Sequence, residues 1–122
     1  MTETPSRKKY DLEQRTEAFA LLIRDFVKRV PKTLANIEDI KQLVRASGSA
    51  GANYIEANEA LSKKDFRMRI RICRKEAKES SYWLRLLDVR GDSSLDAERI
   101  DLIRESTELT SIFGSILKKT DI

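Results

Sequence analysis

The chain has no histidine. Imidazole-based triads, histidine general bases and histidine-containing metal sites are therefore excluded. A di-iron carboxylate bundle, which needs Glu-x-x-His, is excluded with them. The single cysteine, Cys73, has no partner for an internal disulfide, which fits a reducing compartment. With no imidazole to activate it, Cys73 reads as an inert core residue. Two prolines and four glycines among 122 residues leave little material for loops. The polar start, MTETPSRKKY, carries no signal-peptide pattern, and no apolar run is long enough to span a bilayer. A cytoplasmic protein that does not bind membranes is expected. No stretch alternates apolar and polar residues as a strand would.

What is present is charge and helical periodicity. Charged residues make up 36 % and hydrophobic residues 40 % of the chain, which suits helices with a narrow buried face and a wide solvated one. Asp11 and Gln14 have capping-box spacing ahead of Phe19, Leu22, Ile23, Phe26, Val27 and Val30. Pro31 ends that helix. Thr33 caps a second, with Leu34, Ile37, Ile40, Val44, Gly48, Gly51, Ile55 and Asn58 as its expected apolar stripe. Ser62 and Asp65 open a third, which carries Phe66, Ile70, Cys73, Ala77, Leu84 and Leu87 on one face. Gly91 stops it in the turn RGDSS. Ser93 and Asp96 repeat the capping spacing before Leu95, Leu102, Leu109, Ile112, Phe113 and Ile116. The expectation is all-α: one antiparallel up-down-up-down four-helix bundle over residues 10–119, after a disordered tail at 1–9.

The stretch RASGSAGANYIEANE, Arg45 to Glu59, has the composition of a linker or a phosphate loop. Helical phase continues through it from Ile40 and Val44 to Ile55, which a linker has no reason to keep. A P-loop needs Gly-Lys-Ser/Thr after a strand, and neither is present. A helix thinned for close approach of a neighbour remains, since each internal glycine costs about 1 kcal/mol relative to alanine. Opposite the expected stripe runs a second line, Gln42, Arg45, Ser49, Asn53 and Glu56, flanked by Ala46, Ala50 and Ala57. This line is expected to be an internal polar network or a subunit contact.

Positive charge is concentrated in one place. Residues 62–90 hold ten basic and four acidic side chains, net +6; the rest hold 14 and 16, net −2. Lys63, Lys64, Arg67, Arg71, Arg74, Lys75, Lys78 and Arg85 fall within an arc of ~120° along about 33 Å of helix. A solvated face usually mixes signs to gain i,i+4 pairs; a stripe of one sign repels itself and suits a polyanion. Tyr82 is the one aromatic residue near it, which favours backbone contact, and hence structured RNA, over base stacking.

Glu-x-x-Glu occurs at Glu56/Glu59, Glu76/Glu79 and Glu105/Glu108. Such pairs could hold Mg²⁺, as in all-helical nucleotide pyrophosphohydrolases. This is the less favoured, enzymatic alternative, and the favoured expectation is a protein with no catalytic residues, metal or cofactor. Glu76 lies on a different edge from the cations and needs a partner if buried, with Arg45 and Arg69 as candidates.

The segments RTEAFALLIRDFVKRVPKT, QLVRASGSAGANYIEANEALSKKDF and RKEAKESSYWLRLL resemble a bacterial family. It comprises four-helix-bundle proteins encoded in intervening sequences of 23S rRNA genes, also labelled S23 ribosomal proteins. The resemblance spans about residues 10–117 and rests on Arg45, Ser47, Ser49, Gly51, Asn53 and Glu56 and on Tyr82, Trp83 and Leu84. It implies an antiparallel bundle assembled as a homopentamer, with no established catalytic activity. In fold it is also similar to the pentameric accessory protein of diversity-generating retroelements, which binds nucleic acid and a reverse transcriptase. Two non-enzymatic functions are therefore expected: RNA binding along the third helix or, alternatively, protein interaction as a reverse-transcriptase accessory.

Overall fold

The structure, a computed structural model, describes residues 11–121; the expected tail at 1–9 lies outside them. Four helices follow one another: α1 (Leu12–Val27), α2 (Leu34–Asn58), α3 (Lys63–Leu86) and α4 (Ser93–Lys119). Among the described residues there is no strand.

Side-chain caps set the helix starts. Asp11, Thr33 and Ser62 each accept a hydrogen bond from the backbone N–H three residues on, satisfying one of the donors a helix start leaves open. The start of α4 differs from expectation by one residue. Asp92, not Ser93, is the cap, and its Oδ1 accepts from the N–H groups of both Ser94 and Leu95. A carboxylate reaches two donors there and complements the positive helix end. Arg90 and Gly91 both have positive φ, 54° and 72°, in the tight turn closed by Asp92 N–H on Val89 O. Helix α1 ends short of Pro31, and the Lys32 ammonium donates to the carbonyls of Val27 and Val30.

Cross-helix bonds fix the order and direction. Glu13 meets Asn58 across α1–α2. Asn53 meets Arg69, and Arg45 meets Glu79, across α2–α3. Arg67 meets Leu117, and Ser81 meets Ser106, across α3–α4. Arg15 meets Glu105, and Arg29 meets Glu98, across α4–α1. In each set of two bonds, residue numbers rise on one helix as they fall on the other, and across α1–α2 Gly51 faces Thr16 while Gly48 faces Arg24, so neighbouring helices run antiparallel around a four-cornered bundle.

The core lies between Phe19, Ile23 and Phe26 of α1, Leu43 of α2, Ile70, Cys73 and Leu84 of α3, and Leu109 and Phe113 of α4. Burial pushes the Cys73 thiol up to about 12. Two expectations need correction. Leu22 is exposed, as is Leu21 beside it. On α2 the buried face is Asn36, Leu43, Ala46, Ser47, Ala50 and Ala57, whereas Leu34, Ile37 and Ile55 are exposed. The two lines read from the sequence are the flanks of this face, each roughly 100° from it. Large apolar residues mark one flank, while the contact face itself is built mainly from small residues, three alanines and Ser47.

Both flanks are used. On the α1 side an added Cβ at Gly51 would lie 2.9 Å from Thr16 Oγ1, and Thr16 is buried. Gly48 meets only the tip of Arg24, at 3.3 Å. Asn36, 1 % exposed, donates to Pro31 O and Asp88 O and accepts from Asp88 N–H, tying the first loop to the third.

Candidate nucleic-acid interface

Helix α3 has two polar edges with different partners. Toward α2, Glu76 is 7 % exposed. Arg45 Nη1 donates to its Oε2 at 3.4 Å, and Arg45 Nη2 reaches Glu79 Oε1 at 3.2 Å. Glu76 Oε1 sits 3.3 Å from Arg45 Nη2 without hydrogen-bond geometry. Arg45 Nε also meets Gln42 Oε1, at 3.4 Å. Arg69 donates to Asn53 Oδ1, while Asn53 Nδ2 donates to Ser49 O and Oγ. Gln42, Arg45, Ser49, Asn53 and Glu76 thus form an internal strap between α2 and α3. Glu56, expected among them, is exposed and outside the strap.

Toward solvent and α4, the picture changes. Lys64, Arg71, Arg74, Lys75 and Lys78 form no hydrogen bond or ion pair to any described residue. All five are exposed. Two adjoining grooves follow this edge and share Arg71. One, of about 560 Å³, is lined by Lys63, Lys64, Arg67, Arg71, Thr120 and Asp121. The other, of about 770 Å³, holds Arg74, Lys75, Lys78 and Arg85 together with Tyr82, Trp83 and Leu117.

Arg67 has a different role from the one expected. Its Nη1 donates to Leu117 O and Thr120 Oγ1, both at 2.6 Å, and its side chain is 16 % exposed. It closes the C-terminal end of α4, where carbonyls lack intrahelical donors. Arg85 lies 6.0 Å from the Tyr82 ring centroid, a cation–π distance. Trp83 borders the basic groove, a position that sequence pattern did not distinguish from the core.

Two of the three carboxylate pairs are engaged by arginine. Arg15 makes a bidentate bond to Glu105 at 2.8 Å and reaches Glu108 at 2.7 Å, which holds its guanidinium above its ordinary value. Glu76 and Glu79 share Arg45, and Glu56 and Glu59 are exposed. Among the described residues no three carboxylates or thiols gather as a metal site, and no helix is long and apolar enough to cross a membrane.

Comparison with known proteins agrees with this architecture. A crystal structure of a protein of unknown function from the S23 ribosomal protein family, from Bacteroides thetaiotaomicron VPI-5482, is 32 % identical with a TM-score of 0.75. The likeness covers 87 % of this chain and 97 % of that one. A search among curated proteins finds no match. The pattern of the family described as 23S rRNA-intervening sequence protein matches residues 8–114. The chain therefore belongs to the 23S rRNA-intervening sequence protein family.

Proposed function

We propose that this protein binds structured RNA without catalysing a reaction, with the phosphates lying along α3. The observation that carries this reading is that Lys64, Arg71, Arg74, Lys75 and Lys78 have no partner among the described residues, next to an α2-facing edge where both carboxylates are held by an arginine. Five like charges on one helix edge repel one another, and a phosphate backbone relieves that repulsion while releasing its own counterions. Lys63 and Arg85 flank the set; Arg67 contributes field but keeps its bonds to α4. Assembly as a homopentamer, which the family resemblance implies, multiplies a weak site through avidity. Exposed Leu21, Leu22, Leu34 and Ile55 supply apolar surface for such contacts.

The test is an RNA hairpin titrated with the chain and with a variant carrying Arg71→Glu, Arg74→Glu and Lys78→Glu. Binding is expected to be lost while the circular-dichroism spectrum and melting curve stay those of the folded bundle. Equal binding by the folded variant would refute the reading. The same apolar residues favour a second reading, a protein-interaction bundle such as a reverse-transcriptase accessory. In that case Leu21→Ser and Ile55→Ser weaken partner capture while the α3 reversal does not. Light scattering of the pure chain measures the number of copies directly.

A further inference from the structure

We propose that the Tyr82 end of α3 is a stacking site for one unpaired nucleobase, so that the preferred RNA is a duplex with an overhanging purine beside its phosphate contacts. The site rests on the phosphate-binding reading of α3 and narrows its ligand. Arg71, Lys75, Lys78 and Tyr82 follow one another by four, three and four residues, which places them on a single helix ridge. Three cations thus lead along about 16 Å of helix to an aromatic ring. A strand whose phosphates follow that ridge brings its end to Tyr82.

The ring is built to receive a flat partner. It is 48 % exposed, and its hydroxyl makes no hydrogen bond to a described residue. It is nonetheless held in place. Trp83 packs against it edge-on, with centroids 5.0 Å apart and planes at 69°. The Arg85 guanidinium already uses the ring as a cation–π partner. An aromatic side chain so fixed loses little rotamer freedom when a base stacks on it. The adjoining groove, about 770 Å³, is of a size that holds a small organic ligand, and Trp83 and Leu117 give it apolar walls. Its one acid, Glu79, is engaged by Arg45 at 3.2 Å, so the local field stays positive. Stacking on Tyr82 accepts any base, and purines offer the larger face.

The test compares one RNA hairpin with a blunt stem against the same hairpin bearing a single 3′ adenosine overhang. The wild-type chain is expected to bind the overhang form about tenfold tighter, within the range for one base on one aromatic ring. Tyr82→Ala removes that preference, and Tyr82→Phe keeps it. Trp83, the sole tryptophan, reports the overhang form through a larger fluorescence change than the blunt form. Equal affinity of the wild type for both hairpins overturns the stacking site alone, as does a preference that survives in Tyr82→Ala. Failure to bind either hairpin overturns the phosphate reading, and the stacking site with it.

Discussion

Helices α2 and α3 are neighbours of nearly equal length, 25 and 24 residues, and they use their surfaces in opposite ways. Nearly all of the informative chemistry of α2 is consumed inside the molecule. Three alanines, Ser47, Leu43 and Asn36 form its core face, Gly51 fits against Thr16 of α1, and Arg45 and Asn53 hold α3. Helix α3 meets that strap with Glu76, Glu79 and Arg69, then presents cations on its outer edge that the described chain does not neutralise. Residue type alone does not separate these roles. Arg45, Arg67 and Arg69 are structural because an acceptor stands opposite each; Arg71 and Arg74 have none among the described residues.

The contrast can be broken from either side. The largest expected effect comes from the triple reversal on α3. Loss of three phosphate contacts, replaced by three repulsions, lowers RNA affinity by about 100-fold or more at low salt. The thermal midpoint should move little, because no internal bond is lost. The mirror-image change is Arg45→Ala on α2. It leaves Glu76 buried without its cation, at a cost of about 2 kcal/mol in urea unfolding, with RNA affinity per folded protein unchanged.

Glycine substitutions sharpen the picture of α2. Gly51→Ala gains helix propensity but pushes a methyl onto a buried threonine on the neighbouring helix, a net loss of about 1 kcal/mol. Gly48→Ala meets only a flexible arginine tip and should gain about 0.5 kcal/mol. Opposite signs in two adjacent variants would separate close packing from a general dislike of glycine in helices. The smallest effect expected is at Cys73. With 0 % exposure and a thiol pushed up to about 12, it should resist a thiol reagent at neutral pH until the bundle unfolds.

The four helices, three of the caps and the core faces of α3 and α4 were legible in the sequence, because large apolar residues there keep strict helical phase. The face of α2 was not. Its contact residues are small, so Ile37, Val44 and Ile55 drew the expected stripe away from Ala46, Ala50 and Ala57. Asn36 was missed for a related reason: a polar residue beside a helix start reads as surface, and only the third loop lying across it makes it core. At the candidate site, the segregation of charge onto α3 could be read directly. That Arg67 belongs to the end of α4 could not, since the receiving carbonyl is fifty residues away in sequence. The groove joining Tyr82, Trp83 and Leu117 likewise requires α4 to be placed beside α3.

The most direct test of the outer edge of α3 as a phosphate track is the salt dependence of RNA binding. For about five phosphate contacts, the logarithm of the affinity should fall against the logarithm of salt concentration with a slope near −4, and the slope should flatten by roughly 2 to 3 in the Arg71, Arg74 and Lys78 reversal. A slope near zero, or one that the reversal leaves unchanged, would contradict the account.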